Sequence, residues 1–228
     1  MEYLDVFCCD GIAHKIRIKK LIYSKKSDFQ EIAIYDTYRY GKCLFLDSII
    51  QSSEKDHLEF DQEIVSKLRS IDREILILGG GDGYTTEIAL KINPKLNITI
   101  VECDCYVIYA CKKYLGQNIY ERNNVHVVID DAIDFLNNNT SRRYDGIICD
   151  LTDTPIGLSD LKLFYLTIYK LAKKILNTNG WFTAYIGCNE EVVNNIVDCN
   201  NELNKCCTKT IESFGEPCFF LHGNNINK

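Results

Sequence analysis

The chain has 228 residues, 46% of them hydrophobic and 25% charged, with a formal net charge of -6. That length suits one large domain, or one with a small appendage, and supplies enough apolar residues for a sizeable core. The acidic balance speaks against nucleic acid, which needs a basic face, and is compatible with a cationic ligand. No apolar run is long enough to span a bilayer and no signal segment opens the chain, so no membrane partner and a cytoplasmic location are expected. The 12 cysteines include no C-x-x-C pair. They are read as reduced, mostly buried thiols, with no metal expected.

In chain order, "HKIRIKKLIYSKK" and "QEIAIYDTYRY" alternate apolar and polar residues, and "GKCLFLDSIIQSS" follows Gly41. These predict short strands joined as hairpins. From Lys55 to Ile71 the spacing turns helical, with Leu58, Ile64, Val65 and Leu68 able to share a face. "EILILGG" then predicts a strand buried on both faces. "YTTEIALKIN" predicts a helix closed by Pro94. Strand and helix go on alternating: "NITIVEC", "CYVIYACKKYLG", "VHVVIDD", "AIDFLNNN", "YDGIICD", a helix around Leu161 to Leu176, "GWFTAYIG", a helix over "EEVVNNIVDCNNELNKC", and a closing strand "CFFLHG". The pattern predicts an α/β chain: a small N-terminal β-hairpin domain over 1–54, then, over 55–228, a mostly parallel sheet with helices on both faces.

In such sheets ligands bind beyond the carboxyl ends of the strands. Asp82, Glu102, Asp131 and Asp150 all fall there, each at or just past a separate apolar strand. Helix capping explains an aspartate at any one of these positions but is a poor account of all four together. The glycines Gly79, Gly80 and Gly81 let a ligand approach the backbone closely. No Gly-Lys-Ser/Thr follows, so the loop is not a P-loop, and Asp82 within it would repel a pyrophosphate. Glu102, about 20 residues on, stands where an acid holds ribose hydroxyls. A positively charged nucleoside, of the sulfonium type found in S-adenosylmethionine, suits both residues.

With these residues in view, the chain resembles the polyamine aminopropyltransferases: spermidine, spermine and thermospermine synthases. The resemblance runs through "YGKCLFLDSIIQSSEKD", "LILGGGDG", "VECD", "IDDAIDFL" and "YDGIICDLTDTP". It implies a Rossmann-like, class I methyltransferase-like catalytic domain. It implies that decarboxylated S-adenosylmethionine donates its aminopropyl group to a polyamine and leaves as methylthioadenosine. The donor is a co-substrate, and no true cofactor or metal is implied. By resemblance, Asp150 accepts a proton from the attacking amine, Asp153 binds an amine beside it, and Asp82 holds the donor's ammonium. Gly79, Gly80, Gly81 and Gln30 contact the donor, Glu102 holds its ribose, and Asp131 with Ala132 holds its adenine. Asp153 could instead be a turn residue before Pro155, and Gln30 a solvated strand residue. The smaller family members dimerise through the catalytic portion, which implies a homodimer.

The segment "IESFGEPCFF" is closer to that of spermine synthase, and implies Glu216 against the far amine of spermidine. A solvated turn before Pro217 is the other reading of Glu216. Spermidine is therefore the expected acceptor, with putrescine the alternative. Three substrate-side positions depart from the family pattern. Phe60 and Asp61 stand where it has a tyrosine and a glutamine, and Phe214 replaces a tyrosine. Asp153 is a feature of spermidine and thermospermine synthases. Two other readings stay open: a methyltransferase, disfavoured because Asp82 would face the methionyl carboxylate, and a polyamine-binding protein with weakened catalysis.

Overall fold

The computed structural model describes residues 2–7, 13–151 and 161–225. The first sheet is antiparallel, with five strands in chain order: β1 (Tyr3–Phe7), β2 (Ala13–Lys26), β3 (Glu31–Thr37), β4 (Gly41–Leu46) and β5 (Ile49–Ser53). The turn between β4 and β5 puts both of its residues, Asp47 and Ser48, at positive φ. This twist matches that of the strands it joins. β1 has no counterpart in the sequence reading, because its five residues, YLDVF, do not alternate apolar with polar.

The rest of the chain builds a seven-stranded sheet in the order β11-β12-β10-β9-β6-β7-β8. Its strands are β6 (Glu74–Gly79), β7 (Asn97–Glu102), β8 (Val125–Ile129), β9 (Tyr144–Asp150), β10 (Leu176–Gly187), β11 (Leu203–Ile211) and β12 (Glu216–Asn224). β6 to β10 run parallel, while β12 is antiparallel to β10 and β11 to β12. The helices are α1 (His57–Ile64), α2 (Tyr84–Ile92), α3 (Cys105–Ala110), α4 (Ala132–Asn138), α5 (Leu161–Ile175) and α6 (Glu190–Val197). Both faces are covered, as the unbroken apolar run of β6 requires. Ile75 and Ile77 join a core with Ile64 of α1 and Ile88 of α2, while Leu76 and Leu78 join one with α4, α5 and α6. A third cluster seats Val107 and Ala110 of α3 on Ile32, Ile34, Leu44 and Leu46 of the first sheet.

Three expectations are corrected. The helix predicted over 55–71 is only His57–Ile64, and Leu58 is exposed rather than packed. The helix predicted from Cys105 continues past Ala110 as a π-helical turn, Cys111–Leu115. The helix predicted through Cys206 stops at Val197, and Leu203 begins a strand instead. Asn200 makes the stop: its side chain accepts from the Glu202 amide while its own amide bonds Val197. Among the described residues no helix is long and apolar enough to cross a membrane, and their cysteines are free thiols.

Candidate active site

The carboxyl ends of β6, β7, β8 and β9 open into a cleft of about 1350 Å³ walled on its other side by the turn between β2 and β3 and by β4 and β5. Its lining carries Asp28, Asp47, Asp82, Glu102, Asp130, Asp131, Asp134 and Asp150, and no lysine or arginine among the described residues. Such a site favours a cation by charge alone.

The glycine loop follows from close packing. A Cβ on Gly79, which has φ near +80, would lie 2.0 Å from the Asp150 carbonyl oxygen. The Gly80 amide bonds that same oxygen at 2.9 Å. A Cβ on Gly81 would lie 2.5 Å from Glu102 Oε2. The loop therefore sets the ends of β6, β7 and β9 against one another, and only bare backbone fits there.

Asp82 follows the loop at the start of α2, where it accepts from the Tyr84 amide at 3.1 Å. Burial, and then the charge of Asp61, push it up to about 6. Glu102 accepts from the Asp104 amide at 3.0 Å, and burial pushes it up to about 7. Asp131 caps α4 by accepting from Ile133 and Asp134, and also lines the cleft beside Ala132. Capping and cleft lining thus coexist in one side chain. Gln30 lines the cleft and donates to Asp104 at 3.3 Å.

Asp150 ends β9 beside Asp82. Burial, then Asp82 and Asp61, hold its carboxyl well above the usual range. Its Oδ2 lies 2.9 Å from the Thr85 hydroxyl, which is also 2.9 Å from Oδ1 of Asp61. Asp61 is 2% exposed and meets Nδ1 of His57 at 2.7 Å. Burial raises Asp61 against the lowering effect of His57, and Asp61 in turn raises His57 in spite of the latter's burial.

The cleft thus gathers Gln30, Gly79, Gly80, Gly81, Asp82, Glu102, Asp131, Ala132, Asp150, Phe60 and Phe214. Phe60 packs on Tyr185, Phe214 and Phe220, so three of these four rings form an aromatic wall of the cleft. Asp61 lies behind that wall, on a small cavity shared with His57 and Asp82. Glu216 opens β12, outside the described lining. Asp153 lies outside the described residues. His57, Thr85 and Tyr185 escaped the sequence reading. The four-residue spacing of His57 and Asp61 on one helix is the signal that could have found the first.

Residues 59–214 match the family model for the spermine/spermidine synthase domain. The chain belongs to that family. Residues 2–54 match the model described as the spermidine synthase tetramerisation domain. A polyamine aminopropyltransferase from Methanocaldococcus jannaschii is 37% identical over 177 residues, covering 75% of this chain and 59% of that one. Spermidine synthase 2 from Arabidopsis thaliana is 32% identical, covering 75% of this chain and 51% of its own. The chain spans roughly half to three fifths of the length of these curated relatives. Two crystal structures share the fold: a spermidine synthase bound to the transition-state analogue AdoDATO (TM-score 0.84, 23% identity, 98% of this chain and 80% of that one) and the Thermotoga maritima spermidine synthase (0.82, 22%, 99% and 80%).

Proposed function

We propose that the protein is an aminopropyltransferase using decarboxylated S-adenosylmethionine. The observation that carries the reading is the convergence of Asp82, Glu102, Asp131 and Asp150 on one cleft whose described lining has no lysine or arginine. A sulfonium nucleoside with an ammonium tail and a polyamine are both cations, and each offsets the repulsion among these carboxylates. Glu102 would hold the ribose hydroxyls, Asp131 with Ala132 the adenine, and Asp82 the donor ammonium.

In the transfer, the amine lone pair attacks the carbon beside the sulfonium. The carbon–sulfur bond breaks, sulfur takes its electrons as a neutral thioether, and methylthioadenosine leaves. The amine surrenders a proton, which Asp150 would accept; a carboxyl held above its usual range is a better base near neutral pH. The rest is positioning of two cations in line, which the closely packed loop supports. A methyltransferase is disfavoured, since Asp82 would face the methionyl carboxylate.

The acceptor is a polyamine. The preference for spermidine rests on Glu216, which opens β12 outside the described lining of the cleft. Relatives bear the name spermidine synthase, so putrescine becomes the favoured acceptor. A homo-oligomer belongs to the same reading, with a homodimer expected by resemblance and a tetramer implied by the name of the model matched by residues 2–54. Light scattering distinguishes the two. The activity is tested by mixing the protein and donor with putrescine or spermidine and resolving methylthioadenosine and polyamine products. Asp150→Asn should lower turnover about 100-fold or more while donor affinity changes little. Absence of methylthioadenosine with both acceptors would sink the proposal.

A further inference from the structure

Outside the cleft, three side chains of metal-ligating type converge from separate elements. In the β11–β12 ladder Asn204 pairs with His222 and Cys206 with Phe220, which sets Cys206 and His222 diagonally on one face of the sheet. α1 lies against this hairpin and brings Glu63. Sγ of Cys206 lies 2.7 Å from Nε2 of His222 and 3.0 Å from Oε1 of Glu63, and those two atoms are 3.6 Å apart. None of the three lines the cleft.

The arrangement has an oriented imidazole. Thr183, directly opposite His222 on β10, places its hydroxyl 3.0 Å from Nδ1. In the tautomer where Nδ1–H donates to Thr183, Nε2 faces inward as a bare lone pair. The thiol then has one proton for two acceptors, Nε2 and the Glu63 carboxylate. A divalent cation replacing that proton would satisfy all three donors together. A polar partner on the second nitrogen is the support that metal-bound histidines ordinarily have. A mixed sulfur, nitrogen and oxygen set suits zinc, and not magnesium or calcium, which take oxygen ligands. The Lys67 ammonium acts on both Cys206 and His222, and so opposes an incoming cation.

We propose that Glu63, Cys206 and His222 form a site for a zinc-class divalent cation, with a further position for water, that ties α1 to the β11–β12 hairpin. α1 also carries Phe60, and the turn of that hairpin carries Phe214, so the metal would brace the aromatic wall of the cleft from behind without entering the chemistry.

The test uses the full chain, stripped of metal under reducing conditions and titrated with Co²⁺. One equivalent should give a thiolate-to-cobalt charge-transfer band with the visible bands of a four-coordinate site, displaced by Zn²⁺. Cys206→Ser should abolish the band. Thr183→Val keeps all three ligands and should weaken binding about tenfold to a hundredfold. Lys67→Met should tighten it. If the ligand variants fail to fold, the Thr183 and Lys67 variants decide the matter in their place. Absence of the band at one equivalent, or a band that survives Cys206→Ser, overturns the proposal. None of these readouts involves turnover, so the result stands apart from the aminopropyltransferase reading.

Discussion

Thr85 has one hydroxyl proton and two carboxyl oxygens at 2.9 Å, from Asp61 and Asp150. Both contacts can be hydrogen bonds only if one of the carboxyls is itself protonated. Burial favours that state, since it raises both groups. In the proposed reaction the hydroxyl would therefore take part in setting when Asp150 becomes a base. Thr85→Val removes a hydrogen bond to the ionised form, worth about 1.5–3 kcal/mol for a charged partner, and raises Asp150 further. The pH–rate profile should move upward by roughly one to two pH units, while Thr85→Ser keeps the original profile. An unchanged profile in Thr85→Val would show that the hydroxyl has no such role. Asp82, Glu102, Asp131 and Asp150 were legible because strand ends announce themselves in an alternating chain. Thr85 was not, because its importance lies in what it touches across the fold, and His57 was signalled only by its four-residue spacing from Asp61.

Between elements, Asp72 shows how a loop is anchored. It is 1% exposed and accepts from the Arg69 amide and guanidinium, and from Nε1 of Trp181 at 2.8 Å. It thereby ties the segment after α1 to β10 and fixes the entry to β6. Trp181 in turn packs against Gly146, where a Cβ would lie 2.3 Å from the indole ring. Asp72→Ala would leave the indole N–H unpaired inside, while the half-exposed Arg69 keeps its bond to the Asn179 carbonyl. The substitution should cost about 1–3 kcal/mol in urea unfolding, and a loss under about 0.5 kcal/mol would contradict this account. The parallel strands were readable at this scale because both of their faces are apolar. β11 was not: "LNKCCTKTI" is an edge strand, mostly exposed along its length, and polar edge residues protect against pairing with other chains. Without apolar alternation, it read as the end of a helix.

Across the whole molecule, the acidic cleft should lower the stability of the unliganded protein as pH rises. Asp82 stands at about 6 against 3.8 for a free carboxyl, and Glu102 at about 7 against 4.5. Each binds more protons folded than unfolded inside its window, so stability is fullest below about 4 for these groups and is lost as pH rises to about 7. His57, also raised, acts in the same direction at its upper end. Thermal melts from pH 4 to 8 should show a downward contribution from these groups that Asp82→Asn with Glu102→Gln flattens, and that a bound sulfonium nucleoside reverses. A double variant with the wild-type pH dependence would refute the assignment.

The class of the fold, the glycine loop and the acids at the strand ends can be read along the chain, because periodicity, bare backbone and strand termini are local properties written in consecutive residues. The rest came from the three-dimensional fold. It put Asp61 behind the cleft wall with His57 and Thr85, set Glu216 beyond the described lining, and brought Glu63, Cys206 and His222 together. Those outcomes depend on contacts between residues far apart in the chain, and sheet order and register, which no local pattern encodes, select which of them meet.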